Sequence, residues 1–235
     1  MTAERLDDVM RSVIAHDHDR VVAEYRGIAR ALVDCGPVLD IGCGAGTLLE
    51  SLSKLNVDAR GVDASLAAIR RCQDRGLAAV HADVFDYLAT VPDNSIGGAF
   101  AGHLVEHLAA TDAQRLFEQV FRILRLGGRF LVLTPNPHNL YVAGEGFWLD
   151  PTHVRPYPRQ LLVALALRAG FGKTAVQGWR QGMPWRQRVA GVLRWLSTLG
   201  LHDISPSLLA TAWKEFPPPS ASPVPLPRRQ RRDPN

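Results

Sequence analysis

The sequence predicts an α/β fold with a mostly parallel central sheet and helices on both faces. Three observations predict it: apolar runs alternate with amphipathic segments in residues 37–136, a glycine turn follows the first run, and 235 residues can bury one core. Parallel neighbours need crossover connections, which the amphipathic segments supply. We therefore expect one domain over residues 1–216, with N-terminal helices in 1–35, a sheet core in 37–136 and further elements in 137–216.

Each predicted element has its own local pattern. Apolar residues at helical spacing predict two helices in residues 4–34. Strands are predicted at the starts of VLDIGCGAGTLLESLSKL and ARGVDASLAAIRRC, each followed by a helix, and in AAVHADVFDYL, SIGGAFAGHLVEHL and RFLVLTPN. Helices are predicted in TDAQRLFEQVFRILRLGG, capped by Thr111 or Asp112 and ending at Gly127 and Gly128, in RQLLVALALRAGF, and as short amphipathic pieces in 180–216, with a strand at KTAVQGW.

The charge distribution argues against a nucleic-acid partner. The formal net charge is +4, but residues 217–235 hold four Arg and one Asp, so the rest of the chain is nearly neutral. Nucleic-acid binding usually needs clustered basic side chains on the folded surface. The same tail holds seven of the sixteen prolines, which predicts disorder.

Cysteine usage and hydropathy favour a cytoplasmic protein. Cys35, Cys43 and Cys72 form no CxxC pair and are odd in number, so neither a disulfide framework nor a zinc ribbon is supported. The charged first twenty residues lack the apolar run of a signal peptide, and no stretch approaches the roughly 20 apolar residues of a membrane span. We expect no membrane span.

The glycine turn VLDIGCGAG is the first functional motif. Gly42, Gly44 and Gly46 follow a strand and open a helix, so backbone can approach a ligand closely. The third glycine falls one residue earlier than in the dinucleotide fingerprint. Asp40 would repel a pyrophosphate, and it suits a cationic ligand instead. A Rossmann-like domain for some other nucleotide is the alternative interpretation.

Acidic residues follow the next two strands, and with the glycine turn they carry a family resemblance. Asp63 ends the second strand and Asp83 follows the third. This set resembles class I S-adenosylmethionine-dependent methyltransferases, with LRLGGRFLVLTPNP similar to their fifth-strand region. The resemblance implies a Rossmann-like class I methyltransferase fold, a ribose-binding Asp63, and adenine contacts from Asp83 with Val84. The implied cofactor-binding residues are Asp40, Gly42, Gly44, Gly46, Asp63, Ala64, Asp83, Val84 and His103.

The segment GHLVEHL places His103, Glu106 and His107 at helical spacing after the fourth strand. HxxEH matches an inverted zincin pattern, but a peptidase motif lies in a long independent helix, so we reject that interpretation. The position instead resembles the ExxEH segment of metal-dependent O-methyltransferases, with His103 replacing the first Glu. Mg²⁺ prefers oxygen ligands, so imidazoles favour Mn²⁺. The alternative is that Glu106 and His107 only brace the cofactor site.

The loop after the fifth strand contains FWLDPTHVRPYP, with Trp148, Asp150 and His153 among three prolines. It faces the acceptor side of such folds, and its polar groups and aromatic faces suit a sugar. DPTHVRP resembles the corresponding segment of bacterial sugar O-methyltransferases of polysaccharide pathways. A resemblance to small-RNA 2′-O-methyltransferases, in which a His after the fifth strand completes the metal site, would make His153 a fourth metal ligand. Alternatively His153 is the general base, because a neutral imidazole can accept a proton near working pH. The alternative is a loop stiffened by its prolines, in which Asp150 caps a turn and His153 has no role in the reaction.

Together these patterns predict transfer of the methyl group of S-adenosylmethionine to a hydroxyl of a sugar or oligosaccharide. His153 and His107 are the predicted catalytic residues, and a Mg²⁺ or Mn²⁺ ion is assigned to His103, Glu106, His107 and His153. Alternatives are a small-molecule or quinone O-methyltransferase, an RNA 2′-O-methyltransferase, and a module that binds the cofactor without catalysis. A homodimer is compatible with the sequence.

Overall fold

The computed structural model describes residues 18–179 and 205–215, in which seven strands form one sheet in the order β3-β2-β1-β4-β5-β7-β6. The strands are β1 (Val38–Ile41), β2 (Ala59–Asp63), β3 (Ala79–His81), β4 (Ile96–Gly102), β5 (Leu124–Pro135), β6 (Lys173–Trp179) and β7 (Ser207–Trp213). The helices are α1 (His18–Ala31), α2 (Thr47–Ser53), α3 (Leu66–Asp74), α4 (Val84–Thr90), α5 (Ala110–Ile123) and α6 (Arg159–Ala169), with a 3₁₀ turn at Val105–His107 and a π turn at Val142–Gly146.

The sheet is mostly parallel, as the sequence predicts. Strands β1 to β5 pair in parallel, whereas β7 lies antiparallel between β5 and β6. The chain runs from β1 outward to β3 and then returns to β4 on the other side of β1. Ligands of open α/β sheets bind at such a reversal, beyond the carboxyl ends of the strands. The crevice between β1 and β4 is therefore the expected site.

Helices cover both faces of the sheet, which confirms the predicted fold class. In β5, Phe130 and Val132 pack with α4, α5 and α6, whereas Leu131 and Leu133 pack with α1 and α2. A strand buried on both faces reads as a continuous apolar run, and FLVL is such a run. Each of these side chains contributes about 1.5–3 kcal/mol by leaving water.

Helix α5 differs from the sequence prediction at both of its ends. It begins after Ala109, not at a cap formed by Thr111 or Asp112, and the Ala109 side chain makes no capping hydrogen bond. It ends at Ile123, five residues before the predicted glycine stop, because the next residue takes extended angles of φ −68° and ψ 136° and pairs with β4. Gly127, with φ 78°, turns inside the early part of β5 and not at a helix end. The predicted helix and strand at 159–169 and 173–179 are confirmed.

Strand β7 is the largest departure from the sequence prediction. Residues 207–213 form a buried strand, so the prediction of short helices over 180–216 is wrong there. SLLATAW pairs on both sides, which explains an apolar run without alternation. The remaining part of that prediction (180–204), the first predicted helix and the proline-rich tail lie outside the described residues.

Lys214 anchors the end of β7 against α5. Its ammonium donates hydrogen bonds to Asn94 Oδ1 at 2.8 Å and to the carbonyls of Phe121 and Leu124 at 2.8 and 2.7 Å. A cation at a helix C-terminus interacts favourably with the helix dipole and its unpaired carbonyls. Desolvation lowers the pKa of Lys214, because burial disfavours its charged form.

Within the described part of the chain, no helix combines the length and the apolar character that crossing a bilayer requires.

Candidate active site

The glycine turn lies at the carboxyl end of β1. Gly42, Gly44 and Gly46 have φ angles of 72°, 52° and 81°, a region that favours glycine. A Cβ on Gly46 would lie 2.8 Å from Leu77 Cδ1, so this glycine permits helix packing. A Cβ on Gly44 would meet nothing within 4 Å. The backbone of Gly44 therefore borders open space that a ligand could enter.

Asp63, at the end of β2, fixes the geometry of this turn. Its Oδ2 accepts a hydrogen bond from the Gly44 N–H at 2.9 Å, and its Oδ1 accepts one from the Ser65 N–H at 2.7 Å. One carboxylate thus links the turns after β1 and β2. Carboxylate oxygens have further lone pairs, so both bonds are compatible with a hydroxyl donor. The ribose role of Asp63 stays a prediction.

Asp40 is a buried carboxyl beside the turn. It is 1% exposed, and among the described residues its Oδ2 has no hydrogen-bond partner. Burial, and secondarily the nearby charge of Asp63, raises the pKa of Asp40 to about 8. A buried polar atom without a partner is costly, and a cationic ligand would offset that cost. This orphaned oxygen fits a ligand that carries an ammonium or sulfonium group, such as S-adenosylmethionine.

The end of β3 contributes a second acidic position. Asp83 caps α4, accepting hydrogen bonds from the N–H groups of Phe85 and Asp86 at 2.8 and 3.2 Å. Nearby, His81 Nε2 lies 3.0 Å from the carbonyl oxygen of Ala64. The predicted residues Ala64 and Asp83 thus lie just after β2 and β3, and Val84 follows Asp83 at the start of α4. Their contacts with adenine stay a prediction.

Two thiols fill the space under the turn. Cys72 Sγ lies 3.3 Å from the Gly44 carbonyl oxygen, and Cys43 is also buried. Burial raises the pKa of both thiols above their ordinary value. A neutral thiol is a poor nucleophile. Cys43 therefore acts as a small packing group.

Glu106 is the buried centre of the predicted HxxEH segment after β4. It lies in the 3₁₀ turn after β4 and is fully buried. His103 Nδ1 lies 3.0 Å from its Oε1, and the Thr134 hydroxyl donates to its Oε2 at 3.0 Å. The backbone of His103 has a φ of 51°, a conformation that costs energy for a residue with a Cβ. Such a cost is typical of functional sites.

His107 and His153 meet beside Glu106. Their ring centroids are 4.7 Å apart, and ligand atoms of Glu106, His107 and His153 all lie within 4.8 Å of one another. Three of the four predicted metal ligands are therefore brought together. His103 contacts Glu106 but lies outside that group of three. Two imidazoles and one carboxylate fit a transition-metal ion such as Mn²⁺ better than Mg²⁺.

The loop FWLDPTHVRPYP returns to this cluster. Phe147 is buried, with its ring 4.4 Å from that of His153, whereas Trp148 is 61% exposed. Asp150 accepts from the Thr152 N–H at 2.9 Å and from its hydroxyl at 2.6 Å. Burial raises the pKa of Asp150, but these hydrogen bonds outweigh burial and hold it below its ordinary value. The loop thus combines a turn capped by Asp150 with a histidine directed to the cluster.

Two threonines of this site were not among the predicted residues. Thr134 donates a hydrogen bond to Glu106. The sequence feature that could have indicated Thr134 is a polar residue at the end of the apolar run FLVLT. Thr152 contacts His107 across 45 positions of the chain, and no local pattern indicates that contact.

Part of the sequence and the fold have counterparts among known proteins. Residues 39–132 match the family described as a methyltransferase domain. A ubiquinone biosynthesis O-methyltransferase of Cupriavidus pinatubonensis is 30% identical over 42% of this chain and 41% of its own length. A probable S-adenosylmethionine-dependent methyltransferase of Mycolicibacterium smegmatis is 31% identical over 57% of this chain and 51% of its own length.

Solved structures extend the comparison beyond the core. An S-adenosylmethionine-dependent methyltransferase from Archaeoglobus fulgidus superposes with a TM-score of 0.72 and 25% identity, over 83% of this chain and 93% of that protein. Another from Mesorhizobium loti, at 19% identity and a TM-score of 0.59 over 80% and 96%, shows the fold alone.

The chain has the Rossmann-like fold of class I S-adenosylmethionine-dependent methyltransferases, and residues 39–132 match the family described as a methyltransferase domain. The chain spans about half the length of the curated relatives it matches.

Proposed function

We propose that this protein transfers the methyl group of S-adenosylmethionine to a hydroxyl oxygen, and that the hydroxyl belongs to a sugar or oligosaccharide. The observation that carries the proposal is the cluster in which Glu106 and His107, after β4, meet His153 from the loop after β5. Strand β4 is the neighbour of β1. Leu104, which follows β4, lies so close to Gly42 that a Cβ on Gly42 would be 3.4 Å from Leu104 Cδ1. The cluster therefore adjoins the turn at which the methyl donor would bind.

In the proposed reaction the bond between sulfur and the methyl carbon breaks while a bond between oxygen and that carbon forms. The donor is consumed as a substrate and leaves as S-adenosylhomocysteine, and the hydroxyl proton passes to an imidazole nitrogen. His153 Nδ1 lies 2.6 Å from the Phe147 carbonyl oxygen, which can only accept, so the neutral ring carries its proton on Nδ1. Its Nε2 is then free to accept a proton.

The same three residues would hold a divalent cation. When bound, such an ion would lower the pKa of the acceptor hydroxyl and fix the position of its oxygen. Glu106 would supply the negative charge, and the two imidazoles would supply neutral nitrogen ligands. Removal of the ion by EDTA separates this use of the cluster from proton transfer by His153 alone.

A sugar acceptor is supported by the loop that closes the site. Trp148 exposes most of its ring, and its indole N–H is bonded to the Ala143 carbonyl at 3.2 Å, which holds the ring in place. A fixed aromatic face suits the apolar face of a sugar ring. Asp150 and Thr152 provide polar groups nearby.

A second candidate acceptor is a hydroxylated ring that carries an apolar chain. The loop also exposes Leu140, Tyr141, Leu149 and Val154, at 67%, 64%, 44% and 55%. Exposed apolar side chains concentrated on one loop often mark a binding surface. The similarity to a ubiquinone biosynthesis O-methyltransferase favours the same candidate.

A single assay tests both acceptors. Purified protein is incubated with radiolabelled S-adenosylmethionine and with mannose and glucose oligosaccharides, phenols or quinols, with EDTA or with added Mn²⁺ or Mg²⁺. Methylation of the oligosaccharides supports the proposal, and methylation of quinols alone favours the second candidate. Donor binding without transfer to any acceptor would leave only a cofactor-binding module. Full activity in EDTA would refute the cation and leave methyl transfer standing.

A further inference from the structure

His107 is held by a neighbour to which the proposed reaction assigns no role. Its Nδ1 lies 2.9 Å from the Thr152 hydroxyl and 3.3 Å from the Thr152 carbonyl oxygen. The same hydroxyl lies 2.6 Å from Asp150 Oδ1. Three side chains thus form a row from Asp150 through Thr152 to His107.

Hydrogen-bond chemistry fixes the proton positions along this row. A carbonyl oxygen can only accept, so the contact with the Thr152 carbonyl requires a proton on His107 Nδ1. An ionised carboxylate also only accepts, so the single hydroxyl proton of Thr152 goes to Asp150. The hydroxyl oxygen then has lone pairs left to accept from His107 Nδ1. Every contact is satisfied by one arrangement, in which the neutral His107 ring leaves its Nε2 without a proton.

His153 reaches the same state by a different contact. Its Nδ1 lies 2.6 Å from the Phe147 carbonyl oxygen, which is part of the backbone. Both rings therefore have an unprotonated Nε2, and each ring contributes one nitrogen to the group that includes Glu106. Partners on the far nitrogen of a histidine orient the ring and raise its basicity as a ligand.

We propose that Thr152, backed by Asp150, is a positioning residue that holds His107 in the tautomer protonated on Nδ1. The use of the freed Nε2 for a cation rests on the proposed function, whereas the tautomer itself does not. The assignment separates two tasks of Thr152. Its backbone N–H caps the loop through Asp150, and its hydroxyl orients His107.

Two substitutions at one exposed position separate these tasks. Thr152→Val keeps the volume and the backbone bond to Asp150 but removes the hydroxyl. Thr152→Ser keeps the hydroxyl and is the matched control. Both variants should fold as the parent does, because the Thr152 side chain is not part of the apolar core.

The direct test is long-range proton–nitrogen NMR on the ¹⁵N-labelled full chain at a pH where the histidines are neutral. In the parent and in Thr152→Ser, His107 should show a protonated Nδ1 and a bare Nε2. In Thr152→Val, only the longer contact of 3.3 Å with the Thr152 carbonyl oxygen remains, so a measurable fraction should shift to the form protonated on Nε2. His153 is the internal reference and should not change. A His107 tautomer that is unchanged in Thr152→Val, or protonated on Nε2 in the parent, overturns the proposal.

Mn²⁺ titration of the same proteins supplies the second readout. Loss of an outer partner typically weakens metal binding about 10–100-fold, so Thr152→Val should bind Mn²⁺ at least about tenfold more weakly than Thr152→Ser. If the tautomer shifts but the parent binds no Mn²⁺, the positioning role stands and the cation of the proposed function fails. If the parent binds Mn²⁺ and the tautomer does not respond to Thr152→Val, the positioning role fails alone.

Discussion

The two sides of the crevice are built in different ways. The proposed donor side is built around the backbone turn at the glycines, which the Asp63 carboxylate holds from 19 positions along the chain. The proposed acceptor side is formed by side chains that meet across 45 positions, as between His107 and Thr152. A donor that is always the same molecule can be bound by a fixed backbone turn. An acceptor side made of loop side chains can change without disturbing that turn.

The largest expected effect comes from Glu106 on the acceptor side. Glu106→Gln keeps the volume but removes the charge that His103 and Thr134 surround. We expect kcat to fall about 10²–10⁴-fold, the range for losing a positioned acid–base or metal-binding group, while S-adenosylhomocysteine binds as before. Steady-state kinetics and calorimetry measure the two quantities.

Glu118→Gln is the matched control, because Glu118 lies on the exposed face of α5. A Glu106→Gln variant that retains parental kcat would refute a catalytic role for the cluster. A loss of donor binding as large as the loss of kcat would show that the two sides are not independent.

Asp40 on the donor side gives the next largest effect, through pH. The pKa of Asp40 is about 8 in the folded chain against an ordinary value of 3.8, so between these pH values the folded chain holds a proton that the unfolded chain has lost. Stability from this group is fully present below the unfolded pKa and is lost as pH rises through the folded pKa. In Asp40→Asn this loss should be absent, so the parent should lose about 3 kcal/mol relative to the variant between pH 5 and pH 8.

Denaturant unfolding of both proteins at the two pH values measures this difference. Asp58→Asn, an exposed Asp near the other end of β2, should follow the parent. An equal stability difference between parent and Asp40→Asn at both pH values would contradict a neutral Asp40. In calorimetry at pH 7, donor binding should release a proton in the parent and not in Asp40→Asn.

A substitution at Asp63 tests the donor side directly. Asp63→Ala removes the acceptor of two backbone N–H groups and the predicted partner of ribose. Hydrogen bonds to a charged group contribute about 1.5–3 kcal/mol, so S-adenosylhomocysteine should bind about 10–100-fold more weakly. At saturating donor, kcat should stay near the parental value. A variant that binds the ligand normally would remove Asp63 from the donor site.

The smallest effect is expected at Trp148, on the outer part of the loop. Trp148→Ala should raise KM for an oligosaccharide about 3–10-fold, as loss of one aromatic contact of about 1 kcal/mol implies, and leave kcat nearly unchanged. Leu167→Ala, an exposed apolar residue of α6, is the control. An unchanged KM for sugars with a raised KM for quinols would favour the second candidate acceptor.

The sequence predicts the parts of the fold that depend on nearby residues better than the parts that depend on distant strands. The strand, turn and helix around Gly42 were predictable because each depends on neighbours in the chain. Strand β7 was not, because SLLATAW is apolar at every spacing, and only its two partner strands decide that it is extended. Helix α5 ends early for a similar reason, since pairing with β4 begins at Leu124.

The candidate site shows the same limit at the level of side chains. The spacing of His103, Glu106 and His107 gave the candidates but not their roles. In the structure, His103 contacts one oxygen of Glu106, and the group of three consists of Glu106, His107 and His153. The proton arrangement at His107 depends on Thr152, which no local pattern singles out.

The position of β7 bears on how this chain could be re-engineered. Because β7 lies between β5 and β6, and Lys214 ties it to the end of α5, the last described segment completes the sheet that carries the donor turn. Exchanging everything after β5 for the corresponding part of another enzyme would therefore strip an inner strand and expose the edge of β5. Replacing only residues 136–158 would leave the scaffold closed, so that loop is the natural unit for transplanting acceptor preference.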